Sequence, residues 1–104
     1  MAGSWTTVRI VGPSMEPALA SGECWLVRRR PGYRPGEMVL LRHPHREELL
    51  VVKRVQRCEP DGYWVVGDNP ELSEDSRAFG LVPADRLIGK LVVRYRRAPH
   101  RRAG

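Results

Sequence analysis

The sequence has no apolar run long enough to cross a membrane. Its longest apolar stretches, such as "MVLL" and "LLVV", fall far below the roughly 18 residues that a spanning helix requires. The first residues also lack the basic start and long apolar stretch of a signal peptide. We therefore predict a cytoplasmic chain with no transmembrane segment, which leaves peripheral contact with a membrane open.

Cysteine is equally scarce. Cys24 and Cys58 are the two cysteines, and they lie far apart without the CxxC spacing of metal or redox sites. The sequence therefore predicts no metal and no cofactor. We expect both cysteines to be reduced, small residues of the core.

Several familiar catalytic signatures are missing as well. There is no GxSxG elbow, no HExxH, no P-loop and no GxGxxG, which argues against the usual hydrolase and nucleotide-binding sites. His43 and His45 stand in "RHPHREE", where they could form a base or a metal pair. Histidines in such a charged turn are mostly surface residues, so we assign them no role.

Acidic residues are outnumbered, and the net charge is +6. Much of the excess is arginine in "RRRPGYR" (28–34) and "RYRRAPHRR" (94–102). Such clusters attract nucleic acid, anionic lipid or acidic substrates, although most charge runs are solvated surface. Only Tyr95 interleaves the second cluster, which disfavours a nucleic-acid partner.

What the chain does contain is turn-forming residues between short apolar runs. Ten glycines and nine prolines divide it, a composition typical of short strands joined by turns, with little helix. We predict a mostly β, single small domain over residues 1–95, followed by a basic, mobile tail over residues 96–104. The predicted strands are "WTTVRIV" (5–11), the runs after Gly22-Glu23 and Gly36-Glu37, "LLVVKRVQ" (49–56), "YWVV" (63–66) and "LIGKLVVRY" (87–95).

One serine and one lysine form a candidate catalytic pair. Ser14 lies in "VGPSMEP", just beyond the first predicted strand, and Lys53 alternates with Val51 and Val55 on an otherwise apolar strand face. A lysine acts as a general base only when neutral, and burial on such a face lowers its pKa from about 10.4. Two ordinary alternatives stay open at this point: a turn serine, and an edge-strand lysine that protects against aggregation.

Three longer motifs and a short one occur in an order that resembles a known family. The segments "GPSMEPAL" (12–19), "VVKRV" (51–55), "GDNPELSEDSRAFGLV" (67–82) and "IGK" (88–90) are similar to the motif boxes of the type I signal peptidases, the S26 family. The resemblance implies a coiled β-sheet core, which the family shares with repressor proteases. Within the family, the chain is most similar to the nickel-type superoxide dismutase maturation proteases.

By position, the resemblance implies a serine protease that uses a lysine and no histidine. Ser14 matches the nucleophile and Lys53 matches the general base. Ser73 matches a second serine that hydrogen-bonds the lysine amine and orients it. Asp75 and Arg77 match residues that brace the site through a salt bridge.

The same resemblance implies roles for neighbouring residues. Met15 matches a methionine that lines the substrate cleft, and Asp68 and Asn69 belong to the motif loop that supports the site. Some members carry a serine two residues before the nucleophile, where it binds the oxyanion. This chain has Gly12 there, so we expect backbone N–H groups, beginning with that of Ser14, to hold the oxyanion.

The implied partner is a precursor protein or peptide. The maturation proteases remove a short N-terminal propeptide, and the implied substrate is a nickel superoxide dismutase precursor. Two other functions stay open: a small basic β module that binds nucleic acid without protease activity, and a self-cleaving regulator with the same dyad. The latter is disfavoured because no DNA-binding helix pair accompanies the core.

Overall fold

The computed structural model describes residues 5–97. Six antiparallel strands contain about half of the residues in this part of the chain, and helix is limited to three short turns. The strands are β1 (Trp5–Arg9), β2 (Cys24–Arg28), β3 (Met38–His43), β4 (Arg46–Glu59), β5 (Gly62–Val66) and β6 (Leu87–Arg96). A single α-helical turn, α1 (Ser76–Phe79), and two 3-10 turns, Pro70–Leu72 and Ala84–Arg86, lie between β5 and β6. The predicted mostly β fold with one small domain is confirmed.

All six strands form one sheet with the order β1-β2-β6-β3-β4-β5. The last strand therefore lies in the middle of the sheet, between β2 and β3. β4 is longer than predicted and has two partners: β3 pairs with it from Arg46 to Arg54, and β5 pairs with it from Arg54 to Glu59. Residues 49–53 of β4 therefore pair with β3 on one edge, and β5 does not extend along their other edge.

The sheet buries apolar residues on both faces. Within β3, Val39, Leu40 and Leu41 are all buried, because consecutive side chains point to opposite faces and each face carries a core cluster. One cluster consists of Tyr33, Val39, Leu41, Val55, Val65, Phe79 and Val82. The other consists of Ile10, Met15, Leu19, Val27, Leu40 and Leu91. The second cluster includes three residues from the segment after β1, namely Ile10, Met15 and Leu19, which fixes that segment against the sheet.

Three sequence expectations about burial are wrong. Cys58 is exposed and Cys24 only half-buried, so neither is a core residue. Cys58 lies beyond Arg54, the last residue of β4 that pairs with β3, and this end of the strand has a neighbour on one side only. His43 is buried rather than at the surface, because residues from a distant loop pack against it.

The prediction of a mobile tail falls mostly on residues 98–104, which lie outside the described residues. β6 itself continues to Arg96. In the described part of the chain, no helix combines the length and apolarity needed to cross a membrane.

Candidate active site

Ser14 lies in a compact turn that follows β1. Two backbone hydrogen bonds shape it: the Glu16 N–H donates to the Pro13 carbonyl at 3.0 Å, and the Leu19 N–H donates to the Met15 carbonyl at 2.9 Å. Met15 and Leu19 are 1% and 0% exposed, so the turn is anchored in the core on one side. Ser14 remains partly exposed between these anchors.

Lys53 lies in β4, directly opposite Val39 of β3. Only 3% of it is exposed. A lysine that protects a strand edge must project into solvent, so the alternative of an edge-protecting lysine does not hold. Its Nζ instead donates a hydrogen bond to Ser73 Oγ at 3.4 Å.

Burial lowers the pKa of Lys53, because the ammonium form loses its hydration. The carboxylates of Asp75 and Glu74 oppose this effect and the guanidinium of Arg77 adds to it, and the pKa remains below the ordinary value for lysine. The shift is in the direction that a general base requires, because only the neutral amine can accept a proton.

Ser73 connects the lysine to the backbone of the serine turn. Its Oγ accepts from Lys53 Nζ and donates to the Ser14 carbonyl at 3.1 Å. The Asn69 N–H donates to the same carbonyl at 2.9 Å, and the Asn69 side-chain amide donates to the Pro13 carbonyl at 3.2 Å. When Lys53 is neutral, one of its N–H groups is directed to Ser73, which leaves its lone pair free for another partner.

Ser14 and Lys53 line the same cleft. It has a volume of about 490 Å³ and runs between residues 7–11 on one side and residues 49–53 on the other. In the described residues, no hydrogen bond joins Ser14 Oγ to Lys53 Nζ. Catalytic pairs commonly reach hydrogen-bond distance only in the substrate complex, so the shared cleft is the informative observation.

Gly67 is a site residue that the sequence analysis did not single out. A Cβ added there would lie 1.5 Å from Ser73 Oγ and 3.0 Å from the Ser14 carbonyl oxygen. The Gly67 N–H also donates to Asp75 Oδ2 at 2.9 Å. A residue without a side chain is therefore needed for Ser73 to lie against the end of β5.

Asp75 and Arg77 form the predicted ion pair. The Asp75 carboxylate is 1% exposed and receives Arg77 Nε at 2.9 Å, together with the backbone N–H groups of Gly67 and Arg77. Burial alone would raise the pKa of Asp75, but these hydrogen bonds outweigh it and hold the pKa below its usual value. The ionised carboxylate caps the start of α1 and fixes the segment that follows Ser73.

Asp68 is held by a second arginine, Arg54, which the sequence analysis did not assign. Arg54 Nε and Nη2 donate to the two Asp68 carboxylate oxygens at 2.8 and 2.7 Å. Hydrogen bonding to Asp68 raises the pKa of Arg54. The Asp68 N–H points to Met15 Sδ at 3.4 Å, so this pair ties the β5 end both to the strand of Lys53 and to the serine turn. The adjacency of Arg54 to Lys53 in "VVKRV" was the signal that could have revealed it.

Gly12 lies at the start of the serine turn with a φ of +87°. Its N–H donates to Ser21 Oγ at 3.1 Å. The Ser14 N–H has no acceptor within residues 5–97, so it is free to bind a developing oxyanion. Over the same residues, no three His, Cys, Asp or Glu side chains are grouped to hold a metal ion.

Comparison with known proteins identifies the family of the chain. The family model described as Peptidase S24-like matches residues 2–92. The chain belongs to the peptidase S24-like family. Its matched region contains Ser14, Lys53 and the whole loop from Gly67 to Gly80.

Two relatives of this S24-like chain carry protease names. Signal peptidase IB of Staphylococcus aureus is 54% identical over 33 residues, which are 32% of this chain and 17% of the relative. Mitochondrial ATP-independent inner membrane protease subunit 1a of Arabidopsis thaliana is 29% identical over 116 aligned residues, covering 86% of this chain and 69% of the relative. The chain thus spans less than a fifth of the signal peptidase IB relatives. The predicted resemblance to signal peptidases is confirmed at the level of the family.

Proposed function

We propose that this chain is a serine endopeptidase in which Ser14 is the nucleophile and Lys53 is the general base. The observation that carries the proposal is that a buried lysine, with its pKa lowered, lines one cleft with Ser14 and is linked to the Ser14 carbonyl through Ser73. A solvated turn serine would need no such lysine beside it.

In the proposed reaction, neutral Lys53 takes the proton of Ser14 Oγ while this oxygen attacks the scissile carbonyl carbon. The Ser14 N–H donates to the oxyanion that forms. The C–N bond then breaks, and the Lys53 ammonium gives its proton to the leaving amine. Lys53, neutral again, takes a proton from the water that attacks the acyl-enzyme, and the proton finally returns to Ser14 Oγ.

The cleft fits an extended peptide. β1 is the outer strand of the sheet beside β2, and residues 49–53 of β4 have no β5 residues along their outer edge. A substrate segment that lies between these two edges can add main-chain hydrogen bonds, and side-chain pockets in the mainly apolar cleft then set the sequence preference. Thr7 and Arg9 on one wall and Leu49 on the other line this space.

We propose a precursor protein as the substrate, with removal of a short N-terminal propeptide as the outcome. The motif resemblance described above supports a nickel superoxide dismutase precursor as the candidate. The test is to incubate the purified protein with this precursor and to read the product's N-terminus by mass spectrometry. We expect a single new N-terminus with the wild type and none with Ser14→Ala or Lys53→Ala.

The controls separate the dyad from the substrate. A library of unstructured peptides, digested in parallel, reports protease activity even if the precursor is not the substrate. Cleavage of peptides alone would retain the dyad and reject the precursor. Equal cleavage by wild type and both variants, or no cleavage of either substrate across the pH range, would reject the protease function and favour the basic binding module.

A further inference from the structure

The hairpin of β3 and β4 contains two histidines that the proposed mechanism does not use, His43 at the end of β3 and His45 in the turn. The His43 side chain is 6% exposed, although it lies in a polar stretch. Its Nε2 lies 3.1 Å from Glu74 Oε1, and its ring packs edge-on against Phe79 with 4.8 Å between the ring centroids. Glu74 directly follows Ser73, so His43 contacts the segment that orients Lys53.

The hydrogen bonds of His43 define its tautomer. The backbone N–H of His45 donates to His43 Nδ1 at 3.1 Å, so Nδ1 is an acceptor. In the neutral ring the proton then lies on Nε2, which donates to the Glu74 carboxylate. The ring therefore has one distinct task on each nitrogen: Nδ1 closes the turn, and Nε2 holds Glu74.

The second histidine holds the other end of the same segment. His45 Nε2 lies 3.3 Å from the Phe79 carbonyl oxygen, at the end of α1. Residues 43–45 thus contact Glu74 and Phe79, which flank Asp75 and Arg77 in the sequence. Carbonyl groups in the last turn of a helix have no partner within the helix, so this contact also satisfies one of them.

Glu74 acts on Lys53 through its charge as well as through the backbone. The charged side chains that act on Lys53 are Asp75 and Glu74, which favour the ammonium, and Arg77, which disfavours it. Asp75 and Arg77 are fixed to each other. Glu74 is 62% exposed and its fixed partner is the His43 ring.

From these contacts we infer that His43 is a positioning residue of the site: through its Nε2 it holds Glu74, and with it Ser73, in place against Lys53. The inference rests on the proposed serine-lysine function for its kinetic consequence, while its structural part does not. The rival explanation is that His43 only closes the β3–β4 turn and fills the core.

Two substitutions distinguish these explanations, because each keeps the hydrogen bond of one ring nitrogen and removes that of the other. His43→Gln keeps a donor near the Nε2 position and loses the acceptor for the His45 N–H. His43→Asn keeps that acceptor near the Nδ1 position and loses the contact with Glu74. Both variants lose the ring contact with Phe79, so each serves as the packing control for the other.

If His43 positions the segment, we expect His43→Asn to lower kcat by about tenfold, because small displacements of catalytic groups are costly. His43→Gln should stay within about threefold of the wild type. Amide hydrogen exchange over residues 73–79 should accelerate in His43→Asn and stay near the wild-type rate in His43→Gln. Equal effects of the two substitutions, or a larger effect of His43→Gln, would overturn the inference.

The charge of Glu74 is tested separately by NMR titration of lysine side chains. The chain has two lysines, Lys53 and Lys90, so lysine-selective labelling yields two side-chain signals. Glu74→Gln should move the titration of Lys53 to lower pH, because a carboxylate that favours the ammonium is removed. His43→Asn should move it in the same direction, whereas Glu71→Gln, which removes an exposed carboxylate of the same loop, should not.

The two readouts distinguish failure of the inference from failure of the function. If no substrate is cleaved, faster exchange over residues 73–79 in His43→Asn and a lower Lys53 titration in Glu74→Gln would still support positioning by His43. If substrate is cleaved but exchange and titration are the same in His43→Asn and His43→Gln, the positioning role is rejected and the dyad is retained.

Discussion

Lys53 and Lys90 are the two lysines of the chain, and both lie opposite Val39, Lys53 on the β4 side of β3 and Lys90 on the β6 side. They occupy one row across the sheet, yet their surroundings differ. Lys53 is 3% exposed, and its Nζ donates to a neutral hydroxyl, that of Ser73. The Lys90 side chain is 34% exposed, and its Nζ lies 3.2 Å from the Glu37 carboxylate.

The difference shows what converts a lysine in a sheet into a candidate base. Position in the row is common to both residues, so it cannot be the cause. Lys90 has solvent and a carboxylate to stabilise its charge, whereas Lys53 has lost hydration and has a hydroxyl in hydrogen-bond contact. Desolvation without a directly bonded carboxylate is the combination that lowers a lysine pKa toward neutrality.

The largest expected difference between the two positions comes from replacing each lysine with arginine. Lys53→Arg places a group at the site that stays protonated at every accessible pH. It therefore cannot take the Ser14 proton, and we expect kcat/KM to fall by about 10³-fold, within the range for loss of a general base. Lys90→Arg keeps the ion pair with Glu37 and should leave kcat/KM within about twofold.

Steady-state cleavage of one peptide by both variants is the measurement, with circular dichroism to confirm that each is folded. Comparable losses of kcat/KM in the two variants would show that activity depends on a lysine at both positions and not on the surroundings of Lys53. Activity in Lys53→Arg at the wild-type level would remove Lys53 from the mechanism.

A second substitution sharpens the comparison by changing the surroundings of Lys53 and leaving both lysines in place. Gly67→Ala places a Cβ where Ser73 Oγ now lies, so Ser73 must move away from Lys53. We expect kcat to fall by about 10²-fold, as for a misplaced orienting group. Gly32→Ala is the matched control, because its Cβ would meet only the Tyr63 hydroxyl at an ordinary 3.9 Å.

Kinetics and thermal unfolding of both glycine variants provide the check. The prediction requires that Gly67→Ala lose activity at temperatures well below its Tm. If its activity is normal while folded, the contact of Ser73 with Lys53 is not needed for catalysis.

Local sequence pattern was enough to predict the strands and to place Lys53 on an apolar strand face, although it left an exposed edge-strand lysine as an alternative. The alternation of Lys53 with Val51 and Val55 is a property of one strand, and side-chain alternation follows from the backbone alone. The burial of His43 could not be predicted in this way. Its partner Glu74 is 31 residues away in sequence, and nothing near "RHPHREE" records that a distant loop packs on it.

The same distinction between local pattern and long-range contact applies to the candidate site. The motif boxes named Ser14, Lys53, Ser73, Asp75 and Arg77. In the structure Ser14 and Lys53 line one cleft, Ser73 contacts both of them, and Asp75 pairs with Arg77. Gly67 and Arg54 were missed because their roles depend on distances across the fold. A glycine is required only where another atom occupies the place of its side chain, and that atom belongs to Ser73.

The smallest expected effect is on the free energy of unfolding. It reports the desolvation of Lys53 without depending on catalysis. The pKa of Lys53 is lower in the folded state than in the unfolded chain, where it is about 10.4. Between these two values the unfolded state binds more protons, so the free energy of unfolding rises with pH in that window. Lys53→Met removes this rise and should be more stable than the wild type at neutral pH, whereas Lys90→Met should retain the rise.

Urea unfolding at a series of pH values from about 7 to about 9.5 measures the slope, and stopping there avoids the titration of Tyr33, whose burial raises its pKa above about 10. The informative quantity is the difference between wild type and Lys53→Met, because every other titrating group is common to both proteins. A constant difference across the series would mean that Lys53 is charged in the folded state throughout. Ser14 would then need a different base.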